Sequence, residues 1–152
     1  MIETLQTLCQ VRLAAEREAE QQLARAAAQH GRERERETRL VAELDAARGR
    51  RDQAPRDGGT GPASAAAIQV VRRYAARLEA ELQALRSALD VHRRGPLAEA
   101  AAAFERARAD HLRARQRREA VERAITRREA ARRRDQARRA EALADDLPPR
   151  RR

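Results

Sequence analysis

Small and apolar residues recur along the first third of the chain at alternating steps of three and four residues. This spacing places them on one face of an α-helix, as at the seam of a coiled coil. The predicted seam comprises Leu5, Leu8, Arg12, Ala15, Ala19, Leu23, Ala26, His30, Glu33, Glu37, Leu40, Leu44 and Ala47. Its middle part is polar, so weak pairing is expected there. The pattern predicts a helix over residues 2–50.

A second helical arm follows a segment rich in glycine and proline. Residues 49–64 contain four of the six glycines and two of the five prolines, which predicts an exposed loop over residues 51–64. The heptad pattern returns over residues 65–146, with a kink or break near Gly95-Pro96, because proline inside a helix costs about 3 kcal/mol. The seam positions of this arm are Ile68, Val71, Ala75, Leu78, Leu82, Leu85, Leu89, His92, Leu97, Ala100, Phe104, Ala107, His111, Ala114, Arg118, Val121 and Ile125. A disordered tail is expected over residues 147–152.

Two helical arms joined by one loop predict an all-α fold, an elongated antiparallel two-helix coiled-coil hairpin that forms a single unit over residues 1–152. At 1.5 Å per residue, the first helix is about 75 Å long and the second arm about 120 Å. We expect the first helix to pair with residues 65–114, which leaves about 30 residues of the second arm without a partner. A competing layout breaks fully at Gly95-Pro96 and forms three helices, but the last segment has too little leucine and isoleucine to favour it.

The composition restricts the classes of function. Charged residues make up 38% of the chain, aromatic residues only 1%, and all 34 basic residues are arginine. With so few large apolar side chains, a compact enzyme with a deep pocket is not expected. The three histidines lack the spacing of metal ligands, and Cys9 is expected on the inner face as a small apolar side chain. We therefore expect no catalytic, cofactor or metal site, and no membrane-inserted segment.

Positive charge is concentrated in the last third of the chain. The net charge is 0 over residues 1–50, +2 over residues 51–104 and +8 over residues 105–152. Such a helix is either a solvated face or a surface that suits an acidic protein partner or nucleic-acid phosphates. No aromatic residues alternate with the arginines to stack on bases, and no nucleic-acid-binding motif is present. These absences argue against nucleic acid and favour an acidic protein.

The beginning of the chain carries a spaced set of residues that also occurs in one known family. These residues are Leu5, Leu8, Val11, Arg12, Ala19, Leu23 and Ala26. This pattern resembles the opening of the FliJ/YscO family, the central-stalk proteins of type III secretion systems. The chain length, the two long helices, the break near residue 60 and the aromatic-poor composition are similar as well.

The resemblance implies a non-enzymatic coupling protein similar to the γ stalk of rotary ATPases. Family members insert both ends of a helical hairpin into the secretion ATPase hexamer and stimulate it. They link the ATPase to the export gate, and some also bind secretion chaperones. The implied gate-binding residues are Leu40, Leu44, Val71, Tyr74 and Leu78. The implied ATPase-binding residues are Arg12, Arg115, Arg117, Arg118, Arg127, Arg128, Arg132, Arg133 and Arg134.

The resemblance also implies a place in the cell. The expected location is cytoplasmic and peripheral to the inner membrane, at the secretion apparatus. The short first arm favours a virulence-associated injectisome over a flagellum. Two other classes of function stay open from the residues alone. One is a basic coiled coil associated with nucleic acid, and the other is a generic structural scaffold.

Overall fold

The computed structural model describes residues 2–54 and 65–145. Helix α1 spans Ile2–Gln53 and helix α2 spans Ala65–His92, followed by a π-helical turn, Arg93–Leu97, and by helix α3, Ala98–Asp145. No strand occurs within the two described ranges. Most of the predicted loop, residues 55–64, and the whole predicted tail, residues 147–152, lie outside the described residues.

Helix α1 is built from residues that favour the helical state. Alanine, leucine, arginine, glutamate and glutamine dominate its 52 residues, and all five rank high in helix propensity. Its ends also match the helix dipole, with Glu3 in the first turn and Arg50 and Arg51 in the last. The helix ends at Gln53, three residues beyond the predicted end at residue 50.

Residues Arg25–Glu105 form one compact unit, here called the hairpin unit. Its two arms are antiparallel, since Arg50 pairs with Glu81 whereas Glu37, earlier in α1, accepts a hydrogen bond from Arg93, later in the second arm. The buried core of this unit consists of Leu44, Ala47, Leu82 and Leu89, with Leu40, Val41 and Leu85 packed against it. These observations confirm the prediction of an all-helical, antiparallel coiled-coil hairpin.

Residues Met1–Ala24 and Arg106–Arg152 form the other compact unit, here called the terminal unit. In this unit the start of α1 lies beside α3, and Glu16 accepts a hydrogen bond from Arg118. The interface consists of half-buried residues, among them Leu5, Ala19 and Val121. No side chain that the structure describes in this unit reaches full burial.

The predicted pairing of α1 with residues 65–114 is wrong. Within the terminal unit, α1 contacts Arg118, which lies beyond the predicted limit. Within the hairpin unit, the first buried residue of α2 is Leu78, and residues 65–70 are all exposed. The packing of the leucine core sets this register, and it shifts the paired region of the second arm toward the C-terminus.

Most predicted seam positions are half-buried or buried, but Leu8 and Ala15 in α1 and Ile68 and Ala75 in α2 are exposed. In the first turns of α1, Leu5 and Arg12 are half-buried as predicted, whereas Leu8 is 37% exposed and Ala15 is exposed. Beside these two exceptions the half-buried residues are Cys9 and Glu16, each displaced by one residue from the predicted position. The ion pair between Glu16 and Arg118 accounts for the second displacement, because it turns Glu16 toward α3.

The interruption predicted at Gly95-Pro96 is a π-helical turn. Proline has no backbone N–H, and its ring crowds the carbonyl four residues earlier, here that of His92. A turn of π-helix relieves this crowding without ending the helix. A Cβ added at Gly95 would meet nothing within 4 Å, so Pro96 and not Gly95 accounts for the turn.

Candidate functional site

The first turns of α2 present an exposed apolar patch, here defined as Ile68, Val70, Val71 and Tyr74. Ile68 is 41% exposed, Val70 65% and Tyr74 46%, and Val71 is half-buried. The neighbouring residues of these turns are alanine, glutamine and arginine. Large apolar side chains that stay exposed on adjacent turns are a common mark of a protein-binding surface.

The five predicted gate-binding residues do not share one surface. Leu44 and Leu78 are buried, at 5% and 4% exposure, and Leu40 packs against the leucine core. These three leucines therefore contribute to the stability of the hairpin unit and are not free to contact a partner. Val71 and Tyr74 are accessible, and the structure adds Ile68 and Val70 beside them. The sequence prediction of this set did not include Ile68 or Val70.

Two of the predicted ATPase-binding arginines are engaged within the chain. Arg118 donates hydrogen bonds to Glu16 and Glu122, and its side chain is 21% exposed. The bond to Glu16, followed by that to Glu122, raises the pKa of Arg118 above its ordinary range. Arg115 lies 2.8 Å from Glu119, and its hydrogen bond is the main cause of the lowered pKa of Glu119.

The remaining predicted arginines of α3 are exposed and carry no ion pair to any residue that the structure describes. This set comprises Arg117, Arg127, Arg128, Arg132, Arg133 and Arg134. Arg134 donates only to the backbone oxygen of Ala130, at 3.3 Å. The exposed run extends to Arg138 and Arg139, and all described side chains after Glu129 are exposed. Arg12, in α1, is half-buried.

Residues 127–139, here called the basic segment, have a regular arrangement. At 100° per residue, Arg127, Arg134 and Arg138 fall within about 40° of each other around the helix, and Arg128, Arg132 and Arg139 form a second stripe about 120° away. The segment holds seven arginines against Glu129 and Asp135. Because guanidinium groups bind carboxylates and phosphates in bidentate geometry, this surface can recognise a polyanionic partner.

A group of polar side chains crosses between the helices beside the π-helical turn. His92 is 5% exposed, and its Nε2 lies 3.0 Å from the backbone oxygen of Glu33. Arg93 donates to Glu37 at 2.6 Å. His30, one turn away on α1, stacks on Phe104 with ring centroids 5.7 Å apart. The sequence prediction assigned weak pairing to this region, but these contacts provide specific bonds across it.

Potential metal ligands do not converge in the described part of the chain. No group of three or more His, Cys, Asp or Glu side chains there could hold a metal ion. Cys9 is a free, half-buried thiol. No described helix is long and apolar enough to cross a membrane. The candidate binding sites among the described residues are the two exposed surfaces, the apolar patch and the basic segment.

Comparison with known families gives a match across nearly the whole chain. A family model described as the flagellar FliJ protein matches residues 1–151. Comparison with curated proteins and with solved structures returned no match. The family match covers both helical arms and both exposed surfaces.

Proposed function

The chain belongs to the FliJ family, and from this premise we propose that it couples an export ATPase to an export gate. Family membership makes it a stalk protein of flagellar or type III export. The finer proposal is that its ends enter the pore of the ATPase hexamer and stimulate hydrolysis. In this proposal the protein performs no catalysis itself, and its contribution is contact between two partners.

The basic segment supports the proposed contact with the ATPase. Apart from the half-buried Glu129 its side chains are exposed, and its arginines form no ion pair with a described carboxylate. An acidic pore lining would match this charge and would accelerate association at low ionic strength. Arg118 and Arg115 are excluded from the proposed contact surface because their guanidinium groups are already held by glutamates.

The apolar patch supports the proposed contact with the export gate. Tyr74 offers a large amphipathic side chain at the C-terminal end of the patch, and tyrosine is enriched among residues that dominate binding energy. Val71 and Ile68 precede it by about one and two turns of the same helix. We propose Val71 and Tyr74 as gate-binding residues and Leu40, Leu44 and Leu78 as their structural support. Secretion chaperones are a further proposed partner, on the strength of the family alone.

The family description favours the flagellar apparatus as the setting. The expectation of an injectisome rested on a short first arm with a predicted end at residue 50. The helix extends to Gln53, so this arm is longer than expected. The proposed location is the cytoplasmic side of the inner membrane, where the ATPase and the gate meet.

The decisive experiment measures ATP hydrolysis by the cognate export ATPase with and without the full-length protein. We expect stimulation by the wild-type chain and loss of most of it in the triple variant R132E/R133E/R134E. The matched control is R34E/R36E/R39E, which reverses three exposed arginines on α1 and should stimulate normally. Equal stimulation by both triple variants would remove the basic segment from the ATPase contact.

The basic segment also supports nucleic-acid binding as a second candidate. Phosphate contacts through arginine would give an affinity that falls steeply with salt concentration. Retention of the wild-type chain on duplex DNA at physiological salt, lost in R132E/R133E/R134E and combined with no effect on the ATPase, would favour this alternative.

A further inference from the structure

His92 and Glu33 hold an incomplete hydrogen-bond arrangement beside the π-helical turn. His92 Nε2 lies 3.0 Å from the backbone oxygen of Glu33, so this nitrogen carries the hydrogen and donates it. In a neutral ring the other nitrogen, Nδ1, then has only a lone pair. That lone pair lies 3.8 Å from Oε2 of the Glu33 carboxylate. Two acceptors therefore face each other with no hydrogen between them.

The carboxylate oxygen on this side has no other partner among the described residues. Glu33 Oε2 is buried and accepts no hydrogen bond, whereas Oε1 accepts one from Gln29 at 2.6 Å. A buried polar atom without a partner destabilises the folded state. Addition of one proton to His92 Nδ1 would supply a donor to Oε2 and place a positive charge against the carboxylate.

The other charged groups around His92 are largely paired with one another. On α1, Glu37 is bonded to Arg93 at 2.6 Å, and Arg32 donates to Gln29. On the second arm, Asp90 pairs with Arg94 at 2.9 Å. Two further titratable or charged residues lie on the same stretch of α1. Arg36 is exposed, and the ring of His30 stacks on Phe104. Glu33 is therefore the carboxylate that a charged His92 would meet.

We propose that His92 and Glu33 form a proton-operated clamp that tightens the pairing of α1 with the second arm at the π-helical turn. When His92 is protonated, Nδ1–H donates to Glu33 Oε2 after a small rotation of the carboxylate, and both helices are joined by an ion pair. When the proton leaves, the clamp opens and the polar region pairs less tightly. Histidine side chains in general change charge between pH 5 and 8, so the test spans that range. This inference does not depend on the proposed export function.

The test compares thermal unfolding of the full chain, followed by circular dichroism, near pH 8 and near pH 6. The variant H92Q keeps a donor for the Glu33 carbonyl but cannot take up a proton. The variant E33Q keeps the shape of the glutamate without its charge. The control H111Q removes a half-buried histidine of the terminal unit. We expect the wild-type Tm, relative to both clamp variants, to gain about 2–4 °C on acidification, and H111Q to behave as the wild type.

A local measurement separates the clamp from general effects of pH. The hydrogen-exchange rate of the amides of residues 90–95 is divided by the exchange rate of the amides of residues 82–89 in the same sample. This ratio cancels much of the intrinsic pH dependence of exchange. The ratio should fall several-fold toward pH 6 in the wild type and stay constant in E33Q. Equal pH responses of wild type, H92Q and E33Q in both measurements would overturn the proposal, as would loss of the response in H111Q.

Discussion

The hairpin unit and the terminal unit use the same helical architecture but bury different side chains. In the hairpin unit, leucines at positions 44, 78, 82 and 89 are at most 7% exposed. In the terminal unit, no described residue is buried, and the half-buried inward positions combine apolar residues such as Leu5, Leu23 and Val121 with alanine, histidine and charged residues such as Glu16 and Arg118. The hairpin unit therefore depends mainly on fully buried leucines, whereas the terminal unit combines partly buried apolar contacts with ion pairs.

This difference predicts how the stability of each unit responds to salt and pH. Apolar burial contributes about 25 cal/mol per Å² and is insensitive to moderate salt. Ion pairs that contact solvent are screened by salt and depend on the protonation of their carboxylates. The terminal unit, which carries most of the positive charge, is the one expected to vary with ionic strength and pH.

The largest effect is expected from removing the most buried side chain of the hairpin unit. Leu82 is fully buried within the leucine core, and L82A should lower the free energy of unfolding by about 2–5 kcal/mol through lost contacts and a cavity. Chemical denaturation followed by circular dichroism measures this loss. The control V91A alters a side chain that is 66% exposed and should change stability by less than about 0.5 kcal/mol. Similar losses in the two variants would contradict the assignment of the core.

A smaller effect is expected from breaking the ion pair that joins the helices of the terminal unit. E16Q removes the negative charge that Arg118 contacts from α1 while preserving size. We expect a lower Tm than that of the wild type at low salt, by less than the decrease in L82A. The difference between E16Q and wild type should shrink in about 1 M NaCl, where charges are screened within about 3 Å. E18Q, on an exposed position of the same helix, serves as the control. A deficit of E16Q that is unchanged by salt would show that packing, not charge, holds this interface.

The smallest expected effect is a pH dependence within α3. The hydrogen bond from Arg115 holds the pKa of Glu119 below its ordinary value of 4.5. A carboxylate with a lowered pKa in the folded state stabilises it above the ordinary value, and this contribution is lost as pH falls through the folded-state pKa. Hydrogen exchange at residues 115–123, measured from neutral pH down to about pH 3, should show this acid-induced loss in wild type and less of it in E119Q. An identical acid response in E119Q would assign the loss to other carboxylates.

The periodicity of the sequence predicts the helices and most of their inward faces, because apolar burial follows the helical repeat. It does not determine which turns face each other across two helices. A heptad pattern looks the same after a shift of seven residues, and the register is determined by side chains such as Leu44 and Leu82 that pack across the interface. The predicted pairing with residues 65–114 failed for this reason.

The candidate surfaces were predicted less completely than the fold. The charge count located the basic segment, but only the structure separates the engaged Arg118 from the free Arg132. The gate-binding prediction selected residues by their closeness to the loop, and Leu44 and Leu78 are buried because they also occupy seam positions. Glu33 and His92 are 59 residues apart, and a contact at that separation depends on the register that periodicity leaves open.

The π-helical turn also corrects the phase of the second arm. The inward positions step by five residues from His92 to Leu97, and in a regular α-helix five residues rotate by about 500°, or about 140° past one full turn. The wider π-helical turn absorbs this excess and returns Leu97, Ala100 and Phe104 to the inward face. In terms of sequence change, the turn accommodates one additional residue. A chain shortened by one residue here, with Pro96 replaced, could therefore continue as uninterrupted α-helix with the same face inward.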